Sequence, residues 1–373
     1  MKHLIYIAPI LAALAFSVSC NETVSIPQFD QTAQAPVGDI RALYVEVGHN
    51  MWCDYPTEQM LKGRTLEEAA ALLPEDKRPD FTMRCDDGQY RKVVDYAVSK
   101  GVNMIVLDLG EALFYPSHPE LAIEGTWSVE KMQNEIRRLN AIGVEVVPKL
   151  NFSTTHNGWM KDYRHMVSSE PYQRFCEDVI RDAYEIFGHP RFFHVGYDEE
   201  TVWHQSQMAY QMRRTGEVWW ADFLHILEHV HSLGARPMLW SDAGWDDPTF
   251  FERCPKYCVM QNWYYDECNG GFDLEKNNTD DHKRLAEYTA LDAAGFDQIP
   301  CGTNWVGWAR LRDGVGADDV IGQLVDYGRR NISKEHLFGF MMAPWYPCDT
   351  DENVARQISA IDLFEEAIAQ GSE

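Results

Sequence analysis

The feature that most constrains the fold of this chain is a three-part repeat that begins near Ile40. A short apolar run is followed by a polar or aromatic loop and then by an amphipathic segment, and this succession occurs eight times. Each run has the length of a buried parallel strand, and apolar residues at a spacing of three to four predict a helix after it. The runs are IRALYVEV, VNMIVLDL, VEVVPKL, FFHVGY, RPMLWSD, YCVMQNW, DQIPCGTNW and LFGFMMAPW. Eight such units predict an α/β fold, a single (β/α)8 TIM barrel, because a doubly wound sheet seldom needs so many.

The sequence before the barrel predicts export. Residues 1–20 begin with Lys2, continue with an apolar stretch and end at Cys20, which is typical of a secretory signal peptide. The stretch is too short to predict a membrane span. Its final cysteine, followed by polar residues, resembles the lipobox of bacterial lipoproteins. We therefore predict lipidation at Cys20, with simple cleavage as the alternative, and a location in the bacterial periplasm or at the cell surface, anchored to the outer membrane by lipid.

The rest of the chain divides into a tether and one domain. Residues 21–39 are polar with two prolines and predict a flexible tether, whereas residues 40–373 show no change of composition that would mark a second domain. Eight cysteines remain after Cys20. An even number permits disulfides in an exported chain, but the sequence does not assign the pairs, and free buried thiols are an equal alternative.

The charge of the chain limits its partners. The formal net charge is -25 at pH 7, so a nucleic acid would be repelled rather than bound. We expect a neutral or weakly charged ligand, and a membrane contact only through the lipid anchor. The candidate histidines His156 and His194 lack a tight metal-ligand spacing, so we also expect neither a metal nor a cofactor.

The predicted strand ends carry tryptophan, carboxylate, amide and imidazole side chains, and the active site of a barrel forms at these ends. Aromatic rings stack on the apolar faces of sugars, while Asp, Asn and His bind hydroxyl groups. The pattern therefore favours an oligosaccharide or glycan ligand, although each tryptophan could instead be ordinary core. The candidate ligand-binding residues are His49, Asp108, Asn151, His156, His194, Trp240, Asp242, Trp263, Tyr264, Tyr265, Trp305 and Trp345.

Three consecutive acids follow the fourth strand, in the stretch FFHVGYDEET. Neighbouring carboxylates raise one pKa, so that one group stays protonated near neutral pH while the other stays ionised. This division suits Asp198 and Glu199 to general acid catalysis. We expect His194 to bond inside the barrel and brace Asp198, and Glu200 to be solvated or to cap the next helix.

These residues resemble a known family. The stretch from His194 to Glu199 is similar to the H-x-G-G-D-E signature of glycoside hydrolase family 20, the β-N-acetylhexosaminidases, with Tyr197 in place of the second glycine. The third-strand segment GVEVVPKLNFSTTH is similar to the family's G-x-E-V-x-P-E-I-D…G-H segment. The resemblance implies a retaining hydrolase in which the acetamido oxygen of the substrate attacks the anomeric carbon. It further implies that Glu199 is the acid and base, and that Asp198 orients the acetamido group.

The resemblance also shows departures at positions that bind the sugar. Trp240, Trp263 and Trp345 match the pocket tryptophans by strand, but His49 stands where the family has an arginine. The family's seventh-strand Tyr-x-Asp is not found, and we consider Tyr264 or Tyr265 as its replacement. The eighth-strand Trp-x-Glu becomes Trp-Tyr-Pro.

Three alternatives stay open. The first is a glycosidase for another sugar, with a conventional nucleophile such as Asp242 or Asp108. The second is a non-catalytic lipoprotein that binds glycans through its tryptophans. The third is a metal-dependent hydrolase in which His156, His194 and Asp198 converge.

Overall fold

The computed structural model describes residues 25–265, 272–274, 281–305 and 320–370. Within them, parallel strands form one sheet that follows the chain order and in which the first strand pairs with the last, so the predicted α/β barrel is confirmed. The strands are β1 Ile40–Glu46, β2 Met104–Asp108, β3 Glu145–Lys149, β4 Phe192–His194, β5 Arg236–Trp240, β6 Val259–Gln261, β7 Asp297–Gln298, β8 Cys301–Gly302 and β9 Gly339–Met342.

A helix follows each barrel strand in the described part of the chain. The helices are α1 Asp87–Ser99, α2 Val129–Ala141, α3 Glu170–Ile186, α4 Gly216–Ser232, α5 Phe250–Arg253, α6 Asp281–Ala293, α7 Val320–Asn331 and α8 Asp351–Gln370. Shorter helices, Glu58–Leu61, Leu66–Ala70 and Val202–Gln205, lie in the loops after β1 and β4. Side-chain oxygens of Asp86, Ser128 and Ser169 accept backbone N–H bonds at the starts of α1, α2 and α3, which satisfies donors that a helix leaves free.

The seventh predicted strand closes the barrel, and it is observed as two short pieces. β7 pairs with β6, and β8 pairs with β9, which in turn pairs with β1. Pro300 lies between the two pieces and has no N–H for the ladder. Its carbonyl nevertheless accepts from Met341, 2.9 Å away, and the Cys301 N–H donates to Asn262 at 3.0 Å. The run is therefore one barrel strand, which gives eight strands in the described part of the chain.

The barrel interior contains a buried ion pair below the strand ends. Lys149 Nζ lies 2.6 Å from Asp108 Oδ2, and the hydroxyl of Tyr44 donates to the same oxygen at 2.5 Å. The lysine is fully buried and Asp108 is 2 % exposed. This enclosed and paired position argues against contact between Asp108 and a ligand, and its role as a ligand-binding or nucleophilic residue stays a prediction. The carboxylate neutralises Lys149, since an unpaired buried charge is strongly destabilising.

None of the helices in the described ranges is both long enough and apolar enough to cross a membrane. The predicted signal peptide and Cys20 lie outside the described residues, as do residues 21–24 of the predicted tether. The part of the tether that is described packs on the barrel: the side-chain amide of Gln31 donates to the carbonyls of Val146 and Phe187, both at 2.8 Å.

Candidate active site

The backbone turns sharply at the carboxyl end of β4. Gly196, Tyr197 and Glu199 all have positive φ, at 71°, 75° and 59°. A Cβ atom at Gly196 would lie only 2.2 Å from Asn151 Oδ1, so glycine is required there. Tyrosine and glutamate in this conformation cost free energy, and such strain persists only where the surroundings enforce it. The turn directs the two successive carboxyl groups toward the strand ends.

Asp198 is the buried member of the acid pair, at 7 % exposure. Its Oδ1 accepts from the Asn151 side-chain amide at 2.8 Å and lies 3.4 Å from His156 Nδ1. Burial by itself would raise the pKa of Asp198, but the positive charges of His156 and Lys149 and the Asn151 bond outweigh it and lower the pKa below its ordinary value. Asp198 is therefore an anion.

Glu199 is the accessible member, with 24 % of its side chain exposed. Its Oε2 lies 3.1 Å from His204 Nε2 and 3.5 Å from His156 Nε2. Its backbone N–H donates to Asp242 Oδ2 at 2.8 Å. The carboxyl group can therefore meet a ligand in the mouth while the backbone beneath it stays fixed.

Asp242 differs from Asp198 in charge. Burial and then the negative charge of Asp198 raise the pKa of Asp242 well above its ordinary value. A neutral carboxyl that holds the Glu199 backbone cannot act as a nucleophile, because attack needs the anion. The structure therefore places Asp242 beside the acid pair, where it holds the backbone of Glu199. This position argues against its alternative role as nucleophile.

His156 joins the two acids. Burial lowers its pKa, but the carboxylates of Asp198 and Glu199 raise it more, so the net pKa is raised. One ligand atom from each of these three residues lies within 4.8 Å of the others, which is close enough to hold a divalent cation. For a metal-dependent hydrolase we considered a metal site made of His156, His194 and Asp198. His194 is not in the observed group, so the prediction that it belongs to the site is wrong.

Aromatic side chains form the floor and one side of the mouth. The ring of Trp345 lies 4.6 Å from that of Tyr44, 5.8 Å from that of Trp52 and 5.7 Å from that of Trp240. Trp52 also meets His156 edge to face at 4.7 Å, which connects the aromatic cluster to the acids. The predicted convergence of Trp240 and Trp345 is observed.

The structure distinguishes the two tyrosines that follow β6. The hydroxyl of Tyr265 accepts from Trp345 Nε1 at 3.0 Å, and its ring lies 5.2 Å from that of Trp263. Tyr264 instead packs on Phe272, 4.9 Å away, and is 1 % exposed. Tyr265 is therefore the residue that reaches the mouth.

Trp305, at the end of β8, is half-buried, and its backbone N–H donates to Thr303 Oγ1 at 2.8 Å. Its ring meets no other aromatic ring among the described residues. The structure thus leaves Trp305 apart from the aromatic cluster that contains Trp345.

A guanidinium group stands at the far side of the mouth, where sequence reasoning placed only His49. Arg84 Nη1 lies 2.8 Å from His49 Nε2, and Arg84 Nη2 lies 2.7 Å from Asp349 Oδ2. His49 Nδ1 lies 2.6 Å from Glu46 Oε1, which also accepts from Trp52 Nε1 at 3.1 Å. We missed Arg84 and Asp349 because they are 265 positions apart and neither follows a strand directly.

A family model agrees with this geometry. The model of the catalytic domain of glycosyl hydrolase family 20 matches residues 65–346, more than half of the chain. The chain belongs to glycosyl hydrolase family 20. This confirms both the predicted resemblance and the predicted enzyme class, a glycoside hydrolase. Comparison with curated protein sequences gives no match.

Solved structures agree with the family 20 fold. Dispersin B is 16% identical with a TM-score of 0.52, over 76% of this chain and 95% of that one. The β-N-acetylhexosaminidase from Bacteroides fragilis NCTC 9343 is 13% identical with a TM-score of 0.54, over 87% of this chain and 65% of that one. At these identities the likeness supports the fold.

Two sequence-based expectations about this family 20 site are wrong. His194 does not brace Asp198, because its Nδ1 accepts the Gly196 N–H at 3.0 Å and the ring packs against Trp240. Glu200 is neither solvated nor a helix cap. Its carboxylate is paired with the buried Arg214 and accepts the Thr154 N–H at 2.8 Å.

Proposed function

We propose that this family 20 protein is an exo-acting, β-N-acetylhexosaminidase-like glycosidase that works by retaining, substrate-assisted hydrolysis. The observation that carries the proposal is the unequal pair at the end of β4. Asp198 is buried and held as an anion by His156 and Asn151, whereas the Glu199 side chain is partly exposed. Two adjacent acids in different environments divide the two roles that this reaction needs.

In this mechanism Glu199 donates its proton to the leaving glycosidic oxygen as the bond to the anomeric carbon breaks. The carbonyl oxygen of the substrate's own 2-acetamido group attacks that carbon from the other face. Asp198 accepts the acetamido N–H and offsets the positive charge of the oxazolinium intermediate. The Glu199 carboxylate then takes a proton from water, which opens the intermediate and restores the configuration.

In the family resemblance, a sugar-binding arginine stands at the position of His49. We further propose that Arg84 binds the sugar in place of that arginine. The Arg84 side chain is 37 % exposed and its guanidinium is oriented by Asp349 and His49, so the remaining N–H groups can bind sugar hydroxyls. The aromatic cluster around Trp345 supports stacking of a sugar ring beside it. Tyr265 is the candidate for the missing seventh-strand tyrosine.

The test is a pair of aryl β-glycosides that share one leaving group and differ only at C2, with an acetamido group or a hydroxyl group. The acetamido substrate should be hydrolysed at least about 100-fold faster, because the other lacks the attacking oxygen. A thiazoline analogue of the oxazolinium should inhibit at concentrations well below KM. Equal rates and no inhibition would reject substrate assistance.

The same assay addresses the second candidate, a family 20 enzyme for another sugar. The observation that favours it is the rebuilt recognition side, in which Arg84 and Asp349 come from loops. Hydrolysis of a glycoside without the acetamido group would support it. No hydrolysis of either glycoside, by a folded protein that still binds glycans, would support the non-catalytic alternative.

We also propose that the chain is exported and lipidated at Cys20, as its first twenty residues predict. Cells that produce the full chain should incorporate a radiolabelled fatty acid into it, and Cys20→Ala should abolish the label. Label that remains in this variant would contradict the site.

A further inference from the structure

Two loops meet where the ring of helices closes, between α1 and α8. The Asp86 N–H at the start of α1 donates to the Cys348 carbonyl at 2.8 Å. The Arg84 guanidinium donates to Asp349 at 2.7 and 3.0 Å on the outer side of the same crossing. The two loops are thus held together by one backbone bond and one ion pair, from segments that are far apart in the chain.

A cysteine from each loop lies at this crossing. Cys85 directly precedes Asp86, whose N–H donates to the Cys348 carbonyl, so the two cysteines lie beside each other, and both are thiols in the structure. Cys348 is fully buried and also contacts the Gln357 side chain, whose amide nitrogen lies 3.4 Å from its sulfur. Cys85 is partly buried and packs against the hydrophobic core. The backbone bond beside the two cysteines holds their loops against each other, and a disulfide needs such a close approach of the two backbones.

We propose that Cys85 and Cys348 form a disulfide that joins the first and last βα loops of the barrel. The two thiols lose two protons and two electrons, and one sulfur–sulfur bond forms. The oxidant is a disulfide-bearing thiol compound or oxidoreductase, whose own disulfide is reduced to two thiols in exchange. The predicted export of the chain suits this bond, because disulfides persist in oxidising compartments.

The cross-link would act on two properties of the molecule. It closes a loop that contains most of the barrel, which restricts the unfolded chain strongly. It also fixes the two loops that carry Arg84 and Asp349, next to the mouth. This inference stands on the position of the two cysteines at the crossing of the loops and does not depend on the proposed function.

The first test is a map of the cysteines in the full chain. The protein is equilibrated in glutathione buffers of graded oxidised-to-reduced ratio, quenched with acid, unfolded, alkylated and digested. We expect a peptide pair joined through Cys85 and Cys348, two hydrogens lighter than the separate peptides, which reduction separates. Cys176, which is buried, is the internal reference and should be alkylated throughout. Alkylated or glutathione-capped Cys85 and Cys348 in the most oxidising buffer would overturn the proposal.

The second test is the effect of a thiol reductant on Tm. Reduction should lower the Tm of the oxidised wild-type protein by roughly 10 °C. Cys85→Ala should lose this response, because its partner has no bond to break, while Cys176→Ala should keep it. Because the readout is the shift within each protein, a general loss of stability in a variant does not imitate the result. An equal shift in wild type and Cys85→Ala would reject the cross-link.

Discussion

The two sides of the mouth are built differently. The acid wall consists of Asn151, His156, Asp198, Glu199 and Asp242, which follow the neighbouring strands β3, β4 and β5. The arginine wall consists of His49, Arg84 and Asp349, which lie on the first and last loops. Most of the acid wall is buried, whereas the Arg84 side chain is 37 % exposed.

Under the proposed function, this difference separates chemistry from recognition. Carboxyl groups with divergent pKa values need burial and fixed partners, which the rigid strand ends provide. Hydroxyl recognition needs only an oriented donor, and loops can supply it from several positions. We therefore expect changes in the acid wall to reduce turnover, and changes in the arginine wall to weaken binding.

The largest effect should come from Glu199→Gln, which keeps the volume and removes the transferable proton. With a poor leaving group kcat should fall by about 10²- to 10⁴-fold, and with a good leaving group by much less. The measurement is kcat for two aryl glycosides whose leaving groups differ in pKa. An equal loss for both would mean that Glu199 is not the acid.

Asp198→Asn should have the next largest effect, a fall in kcat of about 10²- to 10³-fold, because an amide cannot offset the charge of the oxazolinium. KM should change little. The control is a thiazoline inhibitor, whose affinity should fall together with kcat. A rise in KM with unchanged kcat would place Asp198 in ground-state binding instead.

Stability should depend on pH through Glu111, which supports the arginine wall by accepting the N–H groups of His49 and Asn50 at 2.7 and 3.0 Å. Burial raises its pKa to about 7, above the value of about 4.3 in an unfolded chain. The folded state binds the proton of Glu111 more tightly than the unfolded chain does, so protonation of Glu111 stabilises the fold. This stabilisation is complete below about pH 4.3 and is lost as the pH rises through 7. The loss is roughly 4 kcal/mol.

Glu111→Gln should remove this pH dependence, since its amide oxygen can still accept both N–H bonds. The measurement is the free energy of unfolding in urea between pH 4.5 and 8, with Glu130→Gln, on an exposed surface, as the matched control. The wild type and Glu130→Gln should lose stability relative to Glu111→Gln over this range. Parallel curves for all three proteins would be incompatible with a buried, titrating Glu111.

Arg84→Gln tests the arginine wall directly. KM for the acetamido glycoside should rise about 10-fold while kcat stays within about two-fold, as expected for the loss of a charged hydrogen bond to a hydroxyl. Arg84→Lys keeps the charge without the planar geometry and should give an intermediate KM. A fall in kcat at constant KM would show that the two walls are not separable.

The smallest expected effect is a shift of the pH profile in His156→Gln. Removal of the positive charge beside Asp198 should raise the pKa of that carboxyl, so the acid limb of kcat/KM moves to higher pH by about one unit. The sign follows because a higher pKa means that Asp198 is protonated, and inactive, at a higher pH. A lower kcat with an unchanged acid limb would indicate a purely structural role.

The sequence by itself determined the barrel and the acid pair. The length and spacing of the apolar runs require buried parallel strands, and a barrel brings their carboxyl ends together, so Asp198, Glu199, Trp240 and Trp345 were predicted to share one mouth. The seventh run also predicted a strand, although Pro300 divides its pairing. These results follow from local periodicity, which a sequence displays directly.

Only the tertiary structure decided which neighbours surround each group. Asp108 and Glu200 are acids near strand ends like Asp198, yet Lys149 and Arg214 neutralise them inside the protein. Arg84 reaches Asp349, and Cys85 lies beside Cys348, only because the barrel closes the first loop onto the last. The physical reason is that the charge and reactivity of a side chain depend on desolvation and on partners within a few ångströms. In a closed barrel, those partners come from anywhere in the chain.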